Sequence, residues 1–400
     1  MSGECTLQHA KLQDYSLFVT VNLLNYGSSS TPVLSSCCRR VVVDKPMTDL
    51  CFICQQNTTK LLRTANLAEQ DEADCIKAQQ DHLNCAQAER ELYRNACSEG
   101  GTTFQRVEDD VDFSESHKHC SFNATMHYSL DYVQQVHYPS NPHQPGPIYF
   151  KTPRKCGIFG VNCEAVPRQV NYLIDESATV EKGANATISY VHHFFVQHGL
   201  GETDVHLHAD NCMGQNKNNY FVWYFAWRVA TRLHQSIMYS FLIAGHTKFG
   251  PDCCFGMLNK SYKVSFISSI YELAKMVDNS SSTGVNTAQL VATHNGQVIV
   301  PVYDWATFLG QYFKKIPNIT SYHHFRFSED EPGVVYCKQF VSSAEERFSS
   351  LKNLALIPPV SVLPLKINPE GLSDERKNYL YQEIRQFCRP GTENLVVLVP

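Results

Sequence analysis

The stretch Asp204-Val-His-Leu-His-Ala-Asp-Asn-Cys-Met-Gly-Gln-Asn-Lys-Asn-Asn-Tyr220 constrains this chain more than any other. Polar and apolar residues alternate through residues 205–210 with the period of a strand. That sets His206, His208 and Asp210 on one face and Val205, Leu207 and Ala209 on the other. A polar turn containing Gly214 follows, and then an aromatic-rich segment, residues 221–233, that reads as a buried helix. A carboxylate at the carboxyl end of a strand, just before such a turn, is where open α/β sheets hold their chemistry. Asp210 also suits the N-cap of the next helix. Capping alone requires neither two histidines on the same face nor the Gln215-Asn-Lys-Asn-Asn219 cluster, so the stretch is a candidate site.

Strand and helix patterns alternate across the middle of the chain. Strands are expected at residues 125–132, at 148–152 with a partner at 157–161, and at 169–174, 205–210 and 236–244. Helices are expected at 186–198, at 216–233 and from near Pro251. Three strands, a helix, then strand–helix–strand–helix predicts a mixed five-stranded sheet with helices on both faces. Upstream, helical spacing from about Asn57 to Ala96 predicts two or three helices, the last over residues 74–97. Gly100-Gly-Thr-Thr and the acidic residues 108–115 read as a linker. Beyond Ser280 a strand at 297–302, a helix at 305–315, a hairpin at 325–340 and a helix at 373–388 capped by Ser373 form a C-terminal α+β extension. The expected division is a poorly patterned 1–50, a helical accessory region 51–120, an α/β core 121–280 and the extension 281–400.

Two more acids stand in positions like that of Asp210. Alternation in Met126-His-Tyr-Ser-Leu-Asp-Tyr132 places His127, Ser129 and Asp131 on one face of the first strand. Gly245-His-Thr-Lys-Phe-Gly-Pro251 leads into a helix opened by Asp252, where Pro251 fits the first turn and an acid complements the dipole. Neighbouring central strands would set Asp131 beside Asp210, and the helix after the fifth strand would bring Asp252 over them. Clustered carboxylates repel one another unless divalent cations neutralise them. Two Mg²⁺ or Mn²⁺ ions about 4 Å apart can activate water or a 3′-hydroxyl and stabilise the departing oxygen of a phosphodiester.

This order of elements and acids, over roughly residues 125–276, resembles the RNase H-like fold of DDE/DDD transposases and retroviral integrases. There the acids fall at the first strand, the fourth strand and the helix after the fifth. The segments Asp49-Leu-Cys-Phe-Ile-Cys-Gln-Gln-Asn57, Gln144-Pro-Gly-Pro-Ile-Tyr-Phe-Lys-Thr-Pro153, His208–Asn218 and Gly245–Asp252, with Tyr322-His-His-Phe325 and Tyr379-Leu-Tyr381, carry a second likeness. They resemble a family of uncharacterised, transposon-associated animal proteins, a domain of unknown function. The resemblance implies Asp131, Asp210 and Asp252 as catalytic metal ligands, DNA as partner, a nuclear location and a homo-oligomer. Many DDE enzymes have Glu as the third acid, so Glu272 is the substitute for Asp252. Asn211, Gln215, Asn216, Lys217, His246, Lys248, Lys151 and Lys155 are the candidate substrate contacts. Lys217, among asparagines at a helix start, is placed to meet a phosphate.

Other constellations compete. His206-x-His208-x-Asp210 resembles the metal motif of metallo-β-lactamase-like hydrolases, although Asn211 stands where that motif has His. A zinc hydrolase built on these three residues is one alternative, and a domesticated, catalytically inactive nucleic-acid-binding protein is another. Cys51-x-x-Cys54 is half a structural zinc site, with Cys37, Cys38, His117, His119 and Cys120 as candidates to complete it. Charge does not announce nucleic-acid binding: residues 1–120 hold 11 Lys+Arg against 17 Asp+Glu, and the remainder is near neutral. Any DNA contact must then come from local clusters such as Lys151-Thr-Pro-Arg-Lys155. No run is long enough to span a membrane, no signal-peptide pattern opens the chain, and sixteen irregularly spaced cysteines suit a reduced, intracellular protein.

Overall fold

The computed structural model describes residues 50–64, 69–105, 117–143, 146–166, 168–180, 183–353 and 356–397, and residues 51–400 form one compact unit. Its frame is a nine-stranded mixed sheet. In chain order the sheet contains β1 (Phe122–Tyr138), β2 (Arg154–Cys163), β3 (Arg168–Asp175), β4 (Glu202–Ala209), β5 (Ser236–Phe241) and β6 (Asn286–Leu290). The short β7 (Val302–Tyr303) lies outside it, and β8 (His324–Ser328), β9 (Val334–Lys338) and β10 (Glu346–Ser349) complete it. Across the sheet the order is β10-β9-β8-β5-β4-β1-β2-β3-β6. β1, β2 and β3 are antiparallel, and β4 and β5 run parallel to β1. The hairpin expected near residues 325–340 is present and pairs with β5, while β6 pairs with β3. Strands from the C-terminal part thus widen the expected five-stranded sheet on both edges.

The two faces of the sheet bury different chemistry. On one face Met126, Tyr128 and Leu130 of β1 and Val205, Leu207 and Ala209 of β4 join an apolar core. They pack against α3 (Ala184–Gln197), α4 (Asn219–Ala230) and α7 (Trp305–Gly310). Toward the β3 edge of the other face, Ile158 and Leu173 meet Phe255 and Leu258 of α5 (Gly250–Val264). Ile270, Leu273 and Val277 of α6 (Ile270–Asp278) complete that second core. Over β1 and β4 this second face is polar and lies under a long helix, α2 (Glu69–Gln105), which follows α1 (Phe52–Thr64). Ala86, Glu89, Tyr93, Ala96, Gly100 and Phe104 are buried at three- and four-residue spacing, the period that keeps one stripe of a helix against the sheet.

Several expectations fail for local reasons. Gly100-Gly101 is helical, because Gly100 lets α2 approach the sheet. A Cβ there would lie 3.3 Å from the Cβ of Ala165 and 3.5 Å from that of His127. The acidic residues 108–115 lie outside the described residues. Residues 148–152 are not a strand: Gly146–Tyr149 make one helical turn, and β2 starts directly after Pro153, whose missing N–H cannot serve a ladder. Of the strand expected at 297–302, only a bridge from Val298 to Ala292 and the pairing of β7 with β11 (Lys366–Ile367) form. The last helix, α8 (Asp374–Tyr379), is capped by Ser373 as expected but passes into a π turn, Leu380–Ile384. Among the described residues no helix is long and apolar enough to cross a membrane.

Candidate functional site

The parallel register of β1 and β4 sets Ser129 against His208 and Leu130 against Ala209. Continued by one residue, it puts Asp131, midway along β1, beside Asp210 at the carboxyl end of β4. A β-bulge between Val133 and Val136 follows at once, a place where strands re-aim side chains. The third acid arrives through packing. Gly160 is the cross-strand partner of Asp131, and the Phe255 ring of α5 rests over it. Asp252, one turn before Phe255, stands in the first turn of α5 and is exposed, and its carboxylate accepts the Phe249 N–H at 3.0 Å. Asp252 is thus a first-turn capping acid of α5 whose charge also reaches Asp131.

Gly160 is required by that contact. A Cβ at this position would come to 2.7 Å from the Phe255 ring and 2.9 Å from the Gln169 amide. Gly160→Ala is expected to cost about 1–3 kcal/mol by overpacking, read as an earlier urea midpoint. It should also push the first turn of α5 away from Asp131.

Electrostatics tie the three acids together. Burial pushes the Asp131 carboxyl up to about 7, with Asp210 and then Asp252 adding repulsion against only the Tyr132 N–H as a relieving donor. Burial also raises Asp210, while the Asn216 amide and the Cys212 N–H stabilise its ionised form. None of the three is ion-paired with a described Lys or Arg. A half-buried carboxylate with acidic neighbours and no cationic partner is the charge distribution that a divalent cation relieves. The three are not drawn within 4.8 Å of one another as a single-ion cluster would be. Two ions some 4 Å apart need a wider spread than that.

Behind the acids the polar face is closed rather than open. His127 Nε2 and His208 Nδ1 share a hydrogen bond at 2.8 Å, and His206 Nε2 meets the Ser240 hydroxyl at 3.1 Å. Burial holds all three imidazoles below their usual range, His206 at about 3, so they are neutral. The ligand atoms of His206, His208 and Asp210 do not all lie within 4.8 Å of one another, and the two imidazoles are engaged with Ser240 and His127. Glu164, which sequence reasoning missed, knits this layer: it accepts from Ser129 and from the Tyr93 hydroxyl at 2.8 Å, and Tyr93 accepts the Gly250 N–H at 3.0 Å. It lies in the turn after β2, where no spacing in the sequence singles it out.

The other candidate contacts divide. Asn216 is buried, donates to Asp210, and leaves its side-chain oxygen without a partner among the described residues. Gln215 and Lys155 both line a cleft of about 240 Å³ that Tyr132 also lines. Asn211 donates to the Leu242 carbonyl at 2.9 Å, joining the ends of β4 and β5. Lys217 is buried with its ammonium 5.4 Å from the Phe241 ring centre, and burial lowers it to about 8, so it is a core cation rather than a surface phosphate contact. Lys151 is ion-paired with Glu383, and Lys248 is exposed. Glu272 accepts the Ser268 N–H at the start of α6 and faces Arg389, a structural role away from the three acids.

His246 belongs elsewhere. It joins Cys51, Cys54 and His82 in a group whose ligand atoms all lie within 4.8 Å of one another, the one such group among the described residues. The partners expected for Cys51 and Cys54 do not complete it. His119 and Cys120 sit near Arg228 and Glu202, at the opening end of β4, and Cys37 and Cys38 lie outside the described residues. His82 was missed because it sits on another helix and has no motif of its own.

No curated protein and no solved structure matches this chain. Residues 155–343, from β2 to just past β9, match the family described as Domain of unknown function (DUF7869).

Proposed function

We propose that this chain is a transposase-like, mobile-element-derived protein whose RNase H-like core cleaves phosphodiesters or transfers strands on DNA. The observation that carries the reading is Asp131 beside Asp210 on neighbouring strands, with Asp131 pushed up to about 7 by burial and by the charges of Asp210 and Asp252. The order β3-β2-β1-β4-β5, with the first three strands antiparallel, supports an RNase H-like core. Two Mg²⁺ or Mn²⁺ ions, when bound, would supply water or hydroxyl activation and stabilisation of the leaving oxygen. The chain's own part is to hold the carboxylates. Asp131 and Asp210 come from rigid neighbouring strands, Asn216 orients Asp210, and Asp252 closes the group from α5. DNA as substrate, a homo-oligomer and a nuclear location belong to the same proposal.

Nicking of supercoiled plasmid by the purified 400-residue chain in Mn²⁺ or Mg²⁺, abolished by EDTA, is the expected result. Absence of nicking with both ions, under conditions where the chain is folded, sinks the cleavage reading. A second reading, a DNA-binding protein that no longer cuts, is favoured by the exposure of Asp252 and its engagement with the Phe249 N–H. DNA binding that survives EDTA without any cleavage would select it.

A further inference from the structure

We propose that Cys51, Cys54, His82 and His246 bind one Zn²⁺ as a closed structural site that fastens the helices α1 and α2 to the loop leading into α5. Three separations are on hand: Cys51 Sγ to His82 Nε2 3.2 Å, Cys54 Sγ to His246 Nε2 3.4 Å, and His82 Nε2 to His246 Nε2 3.3 Å. Tetrahedral zinc, with bonds of about 2.3 Å to sulfur and 2.0 Å to nitrogen, spaces its ligand atoms at roughly 3.3–3.8 Å. The four donors come from three separate segments and converge on one point, all ligand atoms within 4.8 Å of one another.

The surroundings are built for the meeting. Cys51 precedes α1 and Cys54 lies in its first turn, with the Gln55 N–H bonded to the Cys51 carbonyl at 3.0 Å. Both sulfurs thus stand at one helix N-terminus. His82 projects from α2, and two turns on, Arg90 of the same helix donates to the backbone carbonyls of His246 and Lys248. Gly245 has φ +79°, and a Cβ there would lie 2.6 Å from the Cys51 nitrogen. Only glycine lets this loop come close enough to deliver His246. Four protein ligands leave no open position, so the class is structural zinc rather than catalytic zinc. The proposal is independent of the DNA-cleavage reading.

The test is metal content of the full chain purified without chelators, with Co²⁺ exchanged for the native metal. Close to one zinc per chain is expected, together with the visible spectrum of tetrahedral Co²⁺ bearing thiolate charge-transfer bands. His82→Ala and Cys54→Ser should cut zinc at least tenfold, whereas Cys75→Ser and Asp210→Asn should keep it. Should the ligand variants fail to fold, the wild-type stoichiometry and Co²⁺ spectrum still decide. A zinc-free chain that gives no tetrahedral Co²⁺ spectrum, or one with Cys51 and Cys54 joined in a disulfide by mass spectrometry, overturns the proposal.

Discussion

Asp210→Asn is expected to lower metal-dependent nicking by at least ~100-fold while leaving the thermal midpoint nearly unchanged. The substitution keeps an oxygen that can accept from Asn216, so the turn after β4 retains its hydrogen bond. What it removes is the charge that makes Asp210 a cation ligand. Losing even a neighbour that orients a metal ligand typically costs about 10–100-fold, and losing the ligand itself should exceed that. Asn216→Ala then makes an informative companion, expected in the lower range because Asp210 remains but is no longer held. If both variants cut at the wild-type rate, with the metal response intact, Asp210 only braces the turn after β4, through the Cys212 N–H and Asn216, while Asn218 caps α4.

Asp131→Asn should do something less common and stabilise the metal-free protein at pH 8. The folded-state carboxyl is held near 7, against an ordinary value of 3.8. The sign follows from proton binding: the folded state holds this proton more tightly than the unfolded one, so the contribution of Asp131 worsens as pH rises from about 4 to 7 and is flat above. A shift of that size corresponds to a penalty of up to ~4 kcal/mol at pH 8, of which relaxation should leave about half. The amide carries no such charge, so the variant should be the more stable by about 2 kcal/mol at pH 8 and equal to wild type near pH 4. Mn²⁺ should raise the midpoint of the wild type, by occupying the acids, and not that of the variant. At limiting Mn²⁺, nicking should likewise weaken below pH 7, where protonation of Asp131 competes with the ion. A variant less stable than wild type at pH 8 would show that the carboxylate is already compensated by the protein.

Period-two alternation carried much of the fold. The strands now numbered β1, β3, β4 and β5 lie where polar and apolar residues take turns, and α3 and α4 follow their helical spacing. Alternation also placed His127, Ser129 and Asp131 on one face, although not the reason, which is that α2 buries that face as a polar layer. What stayed illegible depended on tertiary packing. Gly100 reads as a linker residue until its contact with His127 is known, and Glu164 looks like any turn acid until Tyr93 and Ser129 reach it. The Cys/His group is the clearest case. Cys51-x-x-Cys54 is visible as half a motif, but His82 and His246 come from α2 and the loop after β5, and only the fold brings them to the sulfurs. Lys217 fails in the opposite sense, since its polar neighbours suggest a surface turn while the chain folds the ammonium against Phe241.

A crystal of the full chain grown with Mn²⁺ and measured at the manganese absorption edge addresses the acids most directly. The expected map has two anomalous peaks about 4 Å apart, each within coordination distance of at least one of Asp131, Asp210 and Asp252. Manganese bound only at other sites, with those three carboxylates free of any peak, would contradict it.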